Sequence, residues 1–250
     1  KTLRAHPNLW INIVSSSISP YPAGDQLGPI RGNIHNRDYR EAIEAWTKLA
    51  PGRVTIWDWT GNFTDATVEW PNIFSVADNI RFFRENGVAA VFLEQPGGEQ
   101  NWGWLRKWVW ARMMWNPALD PEPLVREFLA GYYGERAAPF LREYIRYADR
   151  AARESRYASA TVRWSCYPSI IRSKIFTDEK LAAMSALMDA ALDAAAGEQD
   201  AVFRARVRQA AASSLDGLLL TGAGTPARVT DPRDGSLWLV PGGRPDFPER

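Results

Sequence analysis

The stretch Val88-Ala89-Ala90-Val91-Phe92-Leu93-Glu94 decides the fold. An apolar run of this length, ended by a carboxylate, is a strand rather than a helix. A strand apolar at nearly every position predicts a parallel strand covered on both faces. Upstream, Arg53-Val54-Thr55-Ile56-Trp57-Asp58-Trp59 is a second such run, rich in β-branched and aromatic residues, and Leu9-Trp10-Ile11-Asn12-Ile13-Val14 is a third. Helical patterns lie between them. Tyr39, Ala42, Ile43 and Trp46 share one face of a helix from Asp38 to Leu49, which Pro51-Gly52 stops. Ser75 with Asp78 predicts a capping box opening a helix with Val76, Ala77, Ile80 and Phe83 on one side. Asn86-Gly87 ends that helix, Gly87 suiting the left-handed cap. A further helix is expected from Gln100 to Trp115, closed by Asn116-Pro117.

Alternating strands and helices imply an α/β fold with a parallel sheet and right-handed crossovers. Three strands cannot close a barrel, and as an open sheet they would leave a long apolar edge. The chain opens with Lys1 and enters a strand almost at once. Residues 1–118 are therefore expected to be either a small open sheet or, as the abrupt start favours, the C-terminal part of a larger barrel, in a chain that is an incomplete piece of a longer protein. From Pro121 the pattern is helical. Leu124, Val125, Phe128, Leu129 and Tyr132 form one stripe, and Phe140, Leu141, Tyr144, Ile145 and Ala148 another. Thr177 caps a helix burying Leu181, Met184, Leu187 and Met188, whose methionines read as core packing. Residues 119–222 are expected to be an α-helical bundle domain. Residues 223–250 are expected to be an irregular tail, with a short strand at 237–240.

Composition removes several classes of function. The net charge is +1, with acidic and basic residues interleaved, so nothing points to nucleic acid or to an anionic membrane surface. One cysteine, Cys166, and two histidines, His6 and His35, supply neither a disulfide framework nor a zinc site. No metal and no cofactor are expected. Twelve tryptophans are unusual for this length. Flat indole faces stack on the apolar faces of pyranose rings; their bland alternative is core packing.

In barrels of parallel strands the working groups stand at the C-terminal strand ends and in the loops that follow. Three places qualify: Ser15-Ser16-Ser17; Trp57-Asp58-Trp59 with Asn62; and Glu94-Gln95. Asp58 and Glu94 are the candidate catalytic pair. They end adjacent strands, which lie about 4.8 Å apart in a sheet. Glycoside hydrolysis uses two carboxylates about 5 to 10 Å apart. Trp57, Trp59, Asn62, Gln95 and Trp102 are the candidate substrate-binding residues. A strand-end carboxylate also serves to cap a helix, to pair with an arginine, or to hold a sugar hydroxyl without doing chemistry. Ser15 to Ser17 lack a nucleophile elbow and read as a solvated loop, and Gly97-Gly98 lacks the spacing of a phosphate loop. Trp104 and Trp108, four apart on one helix, read as core.

Several segments then combine into a pattern. They are Trp46-Thr47-Lys48-Leu49, Ile56-Trp57-Asp58-Trp59-Thr60-Gly61-Asn62-Phe63 and Pro71-Asn72. Asp78-Asn79-Ile80-Arg81-Phe82-Phe83-Arg84-Glu85-Asn86-Gly87-Val88 follows, then Trp115-Asn116-Pro117, Asp120, Phe128 and Gly131-Tyr132-Tyr133-Gly134. Their order and spacing resemble the DUF4838 domain of bacterial proteins, which in turn resemble glycoside hydrolases of the α-glucuronidase and β-N-acetylhexosaminidase type. The resemblance implies a TIM-type barrel in which the strands found here are the sixth to eighth. It also implies a C-terminal helical region, a carbohydrate substrate and a secreted or periplasmic location, with any signal outside this chain. Hexosaminidase-like barrels place their acid pair after the fourth strand, which would precede Lys1. In α-glucuronidase-like barrels acidic residues come from later strands, where Asp58 and Glu94 stand. The expectation is a carbohydrate-active, glycoside-hydrolase-like protein acting on the glycosidic bonds of an oligo- or polysaccharide. Its alternative is a noncatalytic carbohydrate-binding module with an aromatic cleft.

Overall fold

The computed structural model describes residues 5–16, 24–63, 69–95, 102–155, 175–219, 227–230 and 237–240. Ser17 and Gly97-Gly98 lie outside the described residues, as does Cys166. Three strands, β1 (Ile11–Val14), β2 (Val54–Trp59) and β3 (Ala90–Glu94), form a parallel sheet in the order β1-β2-β3. A single 3-10 turn at Ile34–Asn36 leads into α1 (Arg37–Leu49), and α2 (Ile73–Glu85) and α3 (Gly103–Trp115) follow β2 and β3. Then come α4 (Pro121–Tyr133), α5 (Ala138–Glu154), α6 (Asp178–Ala196) and α7 (Ala201–Leu219). A hairpin of β4 (Ala227–Thr230) and β5 (Leu237–Val240) stands where an irregular tail with one short strand is expected.

The register decides which way each side chain points, because successive residues of a strand alternate between faces. Ile13, Ile56 and Val91 share one row, and Ile11 pairs with Val54. These residues pack against Tyr39 and Ile43 of α1 and Phe82 and Phe83 of α2. Leu93, on the same face, packs against the core to which α3 belongs. The first three helices therefore cover one face of the sheet. The opposite face, carrying Asn12, Thr55, Trp57, Phe92 and Glu94, has no helix on it among the described residues. Phe92 is 57% exposed there, so β3 is not the doubly covered strand its apolar sequence predicts. It is the edge of the sheet, and only Val91 and Leu93 face helices.

The second core runs without a break from Trp70 and α2 through α3, α4, α5, α6 and α7. It crosses residue 118, so the helical half is packed directly onto the α/β half. Local chemistry sets the helix boundaries. Asp120 caps α4, its Oδ1 accepting from the Glu122 amide at 3.1 Å, and Pro121 fills the first helical position. Asp120→Ala is expected to cost about 1 kcal/mol, read as a lowered urea midpoint with unchanged slope. Gly87 ends α2 with φ +72°, the left-handed conformation expected of it. Ser75 is not a cap. It lies inside α2, where its hydroxyl donates to the Leu27 carbonyl at 2.5 Å and ties the β1–α1 loop to the helix. Trp104 is a second departure: it is 53% exposed, with Lys107 over its ring, and Trp108 is only partly buried.

Candidate functional site

The C-terminal ends of β2 and β3 meet at Glu94. The Trp57 indole N–H donates to its Oε2 at 2.6 Å. Trp57 pairs with Phe92 in register, and Trp59 with Glu94, so all four belong to the uncovered face. The Trp57 and Phe92 rings lie 5.8 Å apart and tilted. The Glu94 backbone is fixed as well. Its carbonyl accepts from both the amide and the hydroxyl of Thr60, each at 2.8 Å. The Thr60 carbonyl in turn accepts from the buried Asn72 amide at 2.8 Å. The result is a carboxylate of set orientation beside two aromatic rings, at the strand ends where parallel sheets place their chemistry. Gln95 follows, partly exposed. Trp59 is partly buried and packs on Phe63 with ring centres 4.8 Å apart.

Asp58 is elsewhere. In register with Leu93, it projects to the helix-covered face and is 5% exposed. The structure therefore does not bring Asp58 and Glu94 together across one cleft. One residue of register puts them on opposite faces of the sheet. Asp58 stands beside Ser15 and Tyr39. Burial pushes its pKa up to about 6, against the opposing effect of the Ser15 hydroxyl. Tyr39 is pushed well above its ordinary value, first by burial and then by the charge of Asp58. Ser15 also accepts the Trp59 amide at 2.8 Å, which joins the ends of β1 and β2.

Two more candidates are placed away from solvent. Asn62 is 2% exposed, and Trp102 4%. Trp102 faces the helical core, its N–H donating to Glu69 at 3.1 Å and its ring packed on Tyr133 and Tyr144. It also holds φ +60°, the left-handed region that a tryptophan rarely adopts. Trp102 thus packs into the helical core at the start of α3 and offers no face to a cleft.

Sequence reasoning passed over Glu69 and the polar cluster around Asp25. The Asp25 carboxylate accepts the Leu27 and Gly28 amides, each at 3.0 Å, and the Asn33 side-chain amide at 2.8 Å. Its own backbone N–H and C=O pair with the Asn36 side chain at 2.8 Å each. A Cβ at Gly28 would meet Asp25 Oδ2 at 2.3 Å and Asn33 Nδ2 at 2.5 Å, so any larger residue there would displace the Asp25–Asn33 hydrogen bond. The Asp-x-x-Gly spacing of a tight turn was the available signal.

Among the described residues no group of three or more His, Cys, Asp or Glu is placed to hold a metal ion. Nor is any helix of the described residues long and apolar enough to cross a membrane. No curated protein and no solved structure matches this chain significantly. A family model described as a domain of unknown function (DUF4838) matches residues 1–146, more than half of the sequence. The chain belongs to the DUF4838 family.

Proposed function

We propose that this protein is a carbohydrate-active, glycoside-hydrolase-type protein whose sugar site includes Glu94, Trp57 and Phe92. The observation that carries the reading is the Trp57–Glu94 hydrogen bond on an open face, at the C-terminal end of parallel strands. An indole holds the carboxylate in place, and the neighbouring phenyl ring supplies an apolar wall for a pyranose face. The three strands are one arc of a (β/α)8 barrel, and the open face is its interior. Strands in sequence order with helices on a single face support this winding. A doubly wound sheet would place helices on both faces. In this reading Glu94 contacts the substrate, and the second carboxylate that hydrolysis needs comes from another strand of the barrel. Asp58, on the helix-covered face of β2, is not one of the hydrolytic pair in this reading.

The test is hydrolysis of chromogenic glucuronides and N-acetylhexosaminides by the protein with its native flanking sequence. Glu94→Gln is expected to lower kcat/KM by at least about 100-fold, the scale of a lost acid, base or nucleophile. Trp57→Phe keeps the ring and removes the donor, and a loss of about tenfold is expected, near 1.4 kcal/mol. Full activity in Glu94→Gln would sink the assignment. The second reading, a noncatalytic carbohydrate-binding module, draws on the single carboxylate of the described open face. It predicts sugar binding without turnover.

A further inference from the structure

Behind the ends of β1 and β2, on the side away from Glu94, is a cavity of about 10 Å³. Gln26, Tyr39 and Asp58 line it, with Asp25, Asn36 and Asn79 around them. Three of these side chains are more than nine-tenths buried: Gln26 is 7% exposed, Tyr39 1% and Asp58 5%. Both amide atoms of Gln26 lack a hydrogen-bond partner, and the Tyr39 hydroxyl, although beside Ser15, makes no well-aligned bond. Nearly all buried polar groups in folded proteins are paired, with protein or with ordered water. Here the orphaned groups of two residues belong to the lining of one small space. The other lining groups do not compete for it. Asn36 and Asn79 already bond the backbones of Asp25 and Ile30, and the Asp25 carboxylate is taken by amides from its own loop.

We infer that this cavity is a binding site for one hydroxyl oxygen, from water or from a polyol such as a sugar, held by Asp58, Tyr39 and Gln26. The donor and acceptor inventory selects an O–H group. It must give a proton to the Asp58 carboxylate and accept from the Tyr39 hydroxyl or the Gln26 amide, which a hydroxyl does and a bare cation or anion does not. The volume fits one oxygen and little more. Burial without any lysine or arginine in the lining argues against an anionic ligand. An occupied site also supplies the buried Asp58 carboxylate with a hydrogen bond to its charged form beside that of Ser15. The site stands whether or not the open face of the sheet binds sugar.

High-resolution crystal structures grown with and without glucose test it. The expected result is an ordered oxygen within ~2.7–3.2 Å of Asp58 and of Tyr39 or Gln26. Density present in both crystals identifies water. Density that becomes part of a glucose ring identifies a polyol site. A dry cavity, or a peak with metal-like coordination, overturns the inference. In the double variant Gln26→Leu with Tyr39→Phe, the oxygen is expected to be gone and the Asp58 carboxyl resonance to titrate at higher pH than in the parent. An oxygen that persists there, with an unmoved titration, would show that these side chains do not make the site. The NMR titration reads the same site should the variant fail to crystallise.

Discussion

Asp58→Asn is expected to make the protein more stable at pH 8 and to flatten its stability between pH 4 and 6. The sign follows from proton binding. Folded, the carboxyl has a pKa of about 6; unfolded, it returns to its ordinary 3.8. Between these values the folded state holds the proton and the unfolded state does not. Stability is therefore complete below about pH 4 and is lost as pH rises toward 6. The difference corresponds to roughly 3 kcal/mol at neutral pH, about 1.4 kcal/mol for each tenfold change in proton affinity. An amide keeps the shape and never ionises, so the variant escapes that loss. The measurement is the urea midpoint of parent and variant at pH 4, 6 and 8. Parallel curves would show that Asp58 does not titrate during folding. A less stable variant at pH 8 would show that the carboxylate is better compensated than its surroundings indicate.

The same residue shows how far the sequence could be read. Three strand–helix units were legible because short apolar runs, Gly and Pro breaks and helical stripes are local signals. The strands appear at the expected places, trimmed by a residue or two at their ends. Facing was less legible. In β2 the alternation Val54, Ile56, Asp58 against Thr55, Trp57, Trp59 is visible in the letters, and it puts Asp58 with the core residues. In β3 every position but the last is apolar, so nothing in the letters says whether the face of Phe92 and Glu94 or that of Val91 and Leu93 meets the helices. That information lies in the pairing register, which packing sets. Adjacency of two strand-end carboxylates therefore suggested a pair that the register divides. Trp102 and Ser75 failed for another reason. Each sits where a loop meets a helix, and its partner, Glu69 or the Leu27 carbonyl, is distant in sequence. The Trp57–Glu94 bond is non-local too, but both residues already stood out as strand-end groups.

The other large effect is expected at Arg106. Glu69 and Arg106 are both buried, at 6% and 2% exposure, in the core that joins the α/β half to the helices. Burial raises the pKa of Glu69, against the opposing charge of Arg106 and the donors of Trp102 and Tyr144. Burial likewise brings Arg106 down to about 10, against the charge of Glu69, so it stays cationic at neutral pH. Arg106 also donates to the Trp70 carbonyl at 2.5 Å. One carboxylate thus ties the loop before α2, the start of α3 and, through the Tyr144 hydroxyl at 3.1 Å, helix α5. Arg106→Met removes the compensating charge and leaves the carboxylate in the core. A loss of about 3–5 kcal/mol is expected near neutral pH, the scale of a broken buried pair. The loss should shrink as pH falls and Glu69 takes up a proton. Adding Glu69→Gln should restore much of the stability, since a neutral amide no longer needs the guanidinium. A loss below about 1 kcal/mol, or no recovery in the double variant, would show that the pair is not what holds these segments together. Trp102 should feel the change as well, since its indole is held by the same Glu69 carboxylate and by the Tyr133 and Tyr144 rings while its backbone sits in the left-handed region.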